Sequence, residues 1–121
     1  MDERYLKFFD LFNERDFYEC HEVLEDLWME TVDENRLYYQ GLIQTATAFY
    51  HLENGNLAGA RKLFESGLGY LERYPEKCLS FDLGAYREVC RDWHARVRKQ
   101  QRGEEADLDP EGFPVLEFPA G

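Results

Sequence analysis

Apolar residues recur with a period near 3.6 residues in five stretches of the chain, the spacing typical of amphipathic α-helices. Asp16 can cap the second stretch, and Glu19, three residues later, completes a capping box. Pro75 ends the fourth stretch because proline cannot continue a helix. The pattern predicts helices over about residues 2–13, from 16 to a polar break at 33–35, 36–54, 57–74 and 82–101.

The third predicted helix has no charged residue between Arg36 and Glu53. A helix without charge on any face is typical of the centre of a bundle. The small residues Gly41, Ala46 and Ala48 on this helix would let neighbouring backbones approach closely. We therefore predict an all-α fold, a single compact bundle of about five helices with the third helix at its centre.

Residues 103–121 form an acidic tail that contains proline and has five acids in its first nine residues. Proline disfavours a helix here, so we expect the tail to be extended. Its apolar residues Phe113, Leu116 and Phe118 could strap it onto the bundle. Alternatively, the tail is an arm that docks on a partner subunit. The sequence thus predicts a bundle domain over 1–102 and an extended tail over 103–121.

The chain is strongly acidic, with 25 acidic and 14 basic residues among 121, a formal charge of −11 and a pI of about 4.6. Such a chain repels phosphate backbones, which excludes a broad nucleic-acid-binding surface. The charge is uneven, since residues 1–35 have twelve acids and three bases, whereas residues 87–102 have six bases and two acids. We expect the basic fifth helix to pair with the acidic first two helices.

Cellular location is predicted from what the sequence contains at its start and in its apolar runs. The first four residues, Met-Asp-Glu-Arg, lack the basic and apolar regions of a secretory signal. The longest uncharged run, residues 37–52, is shorter and more polar than the roughly 20 apolar residues of a membrane span. Three cysteines, an odd number, do not suit a disulfide framework. We expect a cytoplasmic protein with no membrane partner, and its many aromatic residues (nine Phe, eight Tyr and two Trp) suggest a homodimer.

Two polar stripes supply the candidate site. On the second helix, His21 and Glu25 are i, i+4 neighbours at the edge of the apolar stripe. On the third helix, four polar residues fall within about 60° of one another: Gln40, Gln44, Thr47 and His51. A buried amide or imidazole without a partner costs about 1–3 kcal/mol. We therefore expect the two stripes to face each other and to enclose a polar cluster.

Three interpretations of this cluster stay open. It could be a hydrogen-bond network that fixes helix register, or a pocket for a small ligand or a partner's side chain. It could also be a divalent-metal site with His21, Glu25 and His51 as ligands and Glu22 as general base, as in a metal-dependent hydrolase. The HExxH and Glu-x-x-His ligand spacings are missing, and no catalytic motif is complete. The residues therefore favour a module that binds a small ligand or a protein and has no demonstrated catalysis, with any cofactor unknown.

Three sequence segments resemble a known family. They are FYECHEVLEDLW from Phe17, YQGLIQTA from Tyr39 followed by His51, and the Gly55-Asn56 and Gly59-Ala60 pairs. Together they resemble the domain-of-unknown-function family numbered 309, over about residues 5–75. The resemblance implies a small, compact all-α protein without an established reaction. Its motif positions correspond here to His21, Glu22, Glu25, Trp28, Gln40, Gly41, Gln44 and His51.

Overall fold

The computed structural model describes residues 1–120, so Gly121, the last residue of the predicted tail, lies outside the described part. Within these residues the chain forms five α-helices, a short 3₁₀ turn and one two-stranded hairpin, which confirms the all-α prediction. The helices are α1 (Glu3–Asn13), α2 (Phe17–Glu30), α3 (Arg36–Glu53), α4 (Leu57–Leu71) and α5 (Leu83–Gln101).

Side-chain caps define the starts of four of these five helices, whereas α3 begins without one. The Asp16 carboxylate accepts a hydrogen bond from the Glu19 backbone N–H at 3.3 Å, as the sequence predicts. Asp2, Asn56 and Asp82 cap α1, α4 and α5 in the same way. Helix α4 ends at Leu71, three residues before its predicted end. The guanidinium of Arg87 on α5 satisfies carbonyls at this helix end, since it donates hydrogen bonds to the Leu71 and Tyr74 carbonyls at 2.9 and 2.7 Å.

A small hairpin between α4 and α5 was not expected from the sequence. Its strands, β1 (Lys77–Cys78) and β2 (Phe81–Asp82), pair antiparallel. Leu79 and Ser80 form the turn at φ values of 45° and 63°, a conformation that usually calls for glycine or asparagine. The Tyr5 hydroxyl donates to the Leu79 carbonyl at 2.9 Å. Tertiary contact with α1 therefore stabilises a turn that the local sequence does not signal.

Helix α3 lies between α2 and α4, at the centre of an aromatic core, as its lack of charge predicts. Its closest neighbour is α4. A Cβ atom added to Gly41 would lie 2.6 Å from Leu71 Cδ2, and one added to Gly67 would lie 2.8 Å from Thr45 Cγ2. Both glycines therefore allow α3 and α4 to pack closely. The largest fully buried side chains are Tyr5, Tyr38, Phe8, Phe12, Phe17, Phe49, Phe64, Leu24, Leu42, Leu71, Leu83 and Val97.

The tail runs over the bundle from residue 113 onward. Phe113 is buried against the Phe49 ring, and Phe118 stacks on Phe9 with ring centroids 4.3 Å apart. The Asn13 amide binds the backbone of Leu116 twice, accepting from its N–H at 2.7 Å and donating to its carbonyl at 2.8 Å. These contacts fix the tail through its backbone as well as through its apolar side chains.

We expected the basic residues of α5 to form ion pairs with the acids of α1 and α2. This expectation is wrong. The basic residues of α5 pair with Glu72 on α4 and with acids of α5 itself, and Arg102, just after α5, pairs with Glu104 in the tail. The reason is that α5 packs beside α4. The acids of α1 and α2 are thus left without these bases. In residues 1–120, no helix is both long and apolar enough to cross a membrane.

Candidate functional site

A small cleft opens between α2 and α3, and we call it the α2–α3 cleft. Its volume is about 90 Å³. It brings together His21 of α2 with Thr47 and His51 of α3, three residues of the predicted polar stripes, and adds tyrosines that the sequence did not single out. The lining residues are Phe17, Tyr18, His21, Thr47, Tyr50 and His51.

Helical spacing places the lining residues of each helix on one face. Tyr18 and His21 are one turn apart on α2, and Thr47, Tyr50 and His51 are one turn apart on α3. The rings form a continuous series. Centroid distances are 5.6 Å from Tyr18 to His21, 6.1 Å from Tyr18 to Tyr50 and 5.9 Å from Tyr50 to His51. Aromatic rings therefore form most of the surface that a ligand would meet.

His21 uses both of its ring nitrogens within α2. Nδ1 lies 3.0 Å from the Tyr18 carbonyl, so Nδ1 carries a proton and donates it. Nε2 lies 3.3 Å from Glu25 Oε2. With its proton on Nδ1, a neutral His21 has its lone pair on Nε2 beside the Glu25 carboxylate, and the two side chains form an ion pair only when Nε2 is protonated as well. The His21 side chain is 25% exposed and Glu25 is 47% exposed, so this pair lies at the surface and not in the enclosed cluster that we expected.

His51 is oriented by the start of α4. The Asn56 side-chain oxygen accepts from the Gly59 backbone N–H at 2.9 Å, which leaves the Asn56 amide nitrogen facing His51 Nδ1 at 3.3 Å. Because that amide nitrogen can only donate, His51 Nδ1 accepts and Nε2 carries the proton. Gly59 leaves room for the ring, since a Cβ atom there would lie 3.1 Å from His51 Cδ2. His51, which lines the cleft, therefore has its N–H donor at Nε2.

Thr47 contributes an apolar wall. Its hydroxyl donates to the Ile43 carbonyl of its own helix at 2.8 Å. Phe17, at the inner end of the cleft, is fully buried. The cleft is thus apolar inside, and its polar groups lie toward its mouth.

The glutamines of the predicted cluster lie outside the cleft. Gln44 accepts a hydrogen bond from the Ser66 hydroxyl of α4 at 2.5 Å, and Gln40 is half-buried one turn earlier. Gln44 and His51 share a face of α3, but seven residues separate them by about 10 Å along the helix axis. Gln44 faces α4 at Ser66, whereas the α2 residues of the cleft meet α3 farther along, at Thr47, Tyr50 and His51. The helical periodicity of the sequence gives the direction of a side chain around the helix axis, but not which neighbouring residue lies at that height along the axis.

Glu22 lies beside Tyr18, one of the residues that line the cleft. It is exposed, one helical turn after Tyr18, and a hydrogen bond between the Glu22 carboxylate and the Tyr18 hydroxyl raises the pKa of Tyr18.

Trp28 contacts Arg36, whose guanidinium lies 4.1 Å from the centre of the indole. The family-motif residues Trp28 and Gly41 therefore stabilise the fold, whereas Glu22 contributes charge beside the cleft.

Within residues 1–120, no three histidine, cysteine, aspartate or glutamate side chains are arranged to hold a metal ion. His21, Glu25 and His51 thus do not form the ligand set of the metal hypothesis.

The third histidine, His94, binds Glu65 at 2.7 Å and lowers the pKa of that carboxyl. The cysteines are buried, and burial raises the pKa of Cys90 to about 12, so it is not a nucleophile at neutral pH.

Sequence reasoning missed the aromatic character of the cleft. Tyr18 and Tyr50 adjoin the predicted stripes, but hydropathy patterns treat tyrosine as core or neutral and so gave no signal. The contact of Asn56 with His51 depends on how α3 turns into α4. An aromatic residue one turn from a predicted site histidine is the signal that could have found Tyr18.

The family described as "Domain of unknown function (DUF309)" matches residues 5–63. The predicted resemblance to this family is confirmed. The DUF309 match includes every residue that lines the cleft, together with Asn56 and Gly59, whereas α5 and the tail lie beyond it.

Two uncharacterised relatives are also similar to this chain. "Uncharacterized protein YpuF" of Bacillus subtilis (strain 168) is 42% identical over 59 residues, which is 48% of this chain and 34% of the relative. An "Uncharacterized protein" of Aquifex aeolicus (strain VF5) is 30% identical over 76 residues, 62% of this chain and 23% of the relative. The similarity thus spans about a third and a quarter of these two proteins.

Proposed function

We propose that this chain is a protein-binding module that holds one side chain of a partner protein in the α2–α3 cleft. The observation that carries the proposal is the size of the cleft. Sites for drug-sized molecules and cofactors have volumes of about 300–1,000 Å³. The cleft has about 90 Å³, which suits a single side chain better than a whole metabolite.

The chemistry of the lining supports the same function. Tyrosine rings are enriched at protein interfaces because they offer a large, rigid contact area with little loss of conformational entropy. Tyr18 is 51% exposed and contacts Tyr50, so both rings are available to a partner. The His51 N–H would donate to a backbone carbonyl of the partner chain. A side chain in the cleft and a carbonyl at His51 would fix the partner's register.

A hydrolase is not favoured. The hydrolase hypothesis needs His21, Glu25 and His51 to meet as metal ligands, and within residues 1–120 these side chains do not form such a group.

The test is a peptide-display selection against the full chain, followed by affinity measurements on two variants. Thr47→Met fills the cleft, and Ala95→Met adds the same side chain at an exposed position on α5. We expect the selected peptides to lose about tenfold or more in affinity for Thr47→Met, the effect of about 1.4 kcal/mol. Ala95→Met should bind them as the parent does. Selected peptides that bind the parent and Thr47→Met equally well would refute the proposal.

A further inference from the structure

The acidic face of α1 and α2 is largely without counter-charges in the described chain. Of the three bases in residues 1–35, Arg4 pairs with Asp2 and Glu30, and Lys7 is exposed and makes no ion pair with a described residue. Arg15 donates to the backbone carbonyls of Phe113 and Pro114 in the tail, so its guanidinium neutralises no carboxylate. The acids of α1 and α2 therefore give this face a strong negative potential. The basic residues of α5 do not neutralise it, because they pair with other acids.

Part of this negative charge lies beside residues that line the α2–α3 cleft. Glu22 follows Tyr18 by one helical turn, which makes the two side chains neighbours, and Glu25 lies 3.3 Å from His21 Nε2. Glu19 and Asp26 are exposed on the same helix. Acids around aromatic rings attract a cation, since a ring face and a carboxylate both favour positive charge.

The shape of the cleft matches the two-part structure of a basic side chain. Lysine and arginine have apolar stems that pack on hydrophobic surface while the charged group stays near water. The inside of the cleft is formed by Phe17 and the Thr47 wall, and its carboxylates are outside. A stem inside and a charged group at the mouth would satisfy both regions at once.

We infer that the partner is a basic protein segment and that the side chain held in the cleft is an arginine or a lysine. This inference rests on the proposed function, because it specifies the chemistry of the same cleft. The backbone of the segment would lie along α2, where its other basic residues meet the remaining acids.

Three synthetic peptides test the inference on the full chain by NMR titration: acetyl-Ala-Arg-Ala-amide, the same peptide with neutral citrulline, and the same peptide with leucine. Citrulline keeps the shape of arginine without its charge. We expect the arginine peptide to shift the amide signals of Tyr18, Thr47 and His51 and to bind about tenfold more tightly than the citrulline peptide. This ratio should fall toward one in 0.5 M salt because exposed charges are screened.

Matched variants localise the charge effect. Glu22→Gln should lower the arginine-to-citrulline ratio severalfold, whereas Glu105→Gln, which removes the same charge from the tail, should leave it unchanged. If citrulline or leucine binds the cleft as tightly as arginine, the inference is overturned while the proposed function stands. If none of the three peptides shifts the cleft signals, the proposed function fails with it.

Discussion

At the scale of the residue, the chemistry of the cleft depends on which atom of Asn56 faces His51. The oxygen of this amide is used by the Gly59 N–H, so its nitrogen must face the ring, and the tautomer of His51 follows. A helix cap thus determines whether the cleft presents a donor or an acceptor.

The first prediction concerns this tautomer. In the parent chain we expect His51 to carry its proton on Nε2, and His21 to carry one on Nδ1. Asn56→Asp keeps the cap but turns an acceptor toward His51, which should place a proton on His51 Nδ1. Long-range ¹H–¹⁵N NMR of the imidazole rings measures both states, with His21 as the internal control. A proton on His51 Nδ1 in the parent at alkaline pH would contradict the geometry.

The second prediction concerns alkaline pH and Tyr86. Burial raises the pKa of Tyr86 well above its ordinary value of 10.0, so the folded chain keeps a proton that the unfolded chain loses above about pH 10. The contribution of Tyr86 to the free energy of unfolding is therefore fully present below this pH and declines as the pH rises further. Tyr86→Phe should cost about 1 kcal/mol at pH 7, because its hydrogen bond to Thr45 is lost, yet its stability should decline less steeply above pH 10.

Urea unfolding of the parent and of Tyr86→Phe between pH 8 and 11 measures this difference. Burial also raises the pKa of Tyr5 and Tyr38, so both proteins should lose stability above pH 10, but the parent should do so with one more titrating group. If the free energy of unfolding falls equally steeply with pH in both proteins, Tyr86 loses its proton as readily in the folded chain as in the unfolded chain, which would contradict the prediction.

At the scale of the element, the sequence predicts the helices well because their apolar spacing and caps are local. The start at Asp16 and the uncharged central helix are examples. The hairpin could not be predicted, since Leu79 and Ser80 adopt positive φ only with the support of Tyr5 from α1. The end of α4 depends likewise on Arg87, a residue of another helix.

The third prediction tests how α3 and α4 pack. Gly67→Ala would place a Cβ atom 2.8 Å from Thr45 Cγ2 and 3.1 Å from the Gly41 carbonyl, so the helices must separate. We expect a loss of about 1–3 kcal/mol in the free energy of unfolding. Gly69→Ala is the matched control on the same helix, because a Cβ atom there has no neighbour within 4 Å. It should gain about 0.5–1 kcal/mol from helix propensity.

Chemical denaturation of the two alanine variants gives both values. The sign is the critical result: two alanine substitutions two residues apart should have opposite effects. A Gly67→Ala variant as stable as Gly69→Ala would mean that α3 and α4 are farther apart than the structure shows.

At the scale of the whole molecule, the site is predicted only in part by the sequence. His21 and His51 do share a cleft, because both lie on stripes where α2 and α3 meet. Gln44 does not, because its height along α3 places it against Ser66 of α4. A helical pattern gives the direction of a side chain, whereas the neighbour it meets depends on the offset between helices, which the packing of the whole bundle determines.

The fourth prediction concerns the tail as part of the whole structure. Asn13→Ala would remove two hydrogen bonds and leave the Leu116 backbone N–H and carbonyl without partners. We expect a loss of about 1–3 kcal/mol in the free energy of unfolding. Limited proteolysis should also cut the exposed acidic stretch at 104–109 faster than in the parent. Asn54→Ala, which removes a single exposed hydrogen bond to Tyr50, is the control and should change proteolysis little.

The central claim is that the α2–α3 cleft receives one side chain of a protein partner. Intermolecular NOEs between a display-selected peptide and the isotope-labelled full chain test it most directly. The account predicts that a single peptide side chain gives NOEs to the Thr47 methyl group and to the rings of Tyr18 and Tyr50. NOEs from the bound peptide only to residues outside the cleft, with none to Thr47, would contradict it.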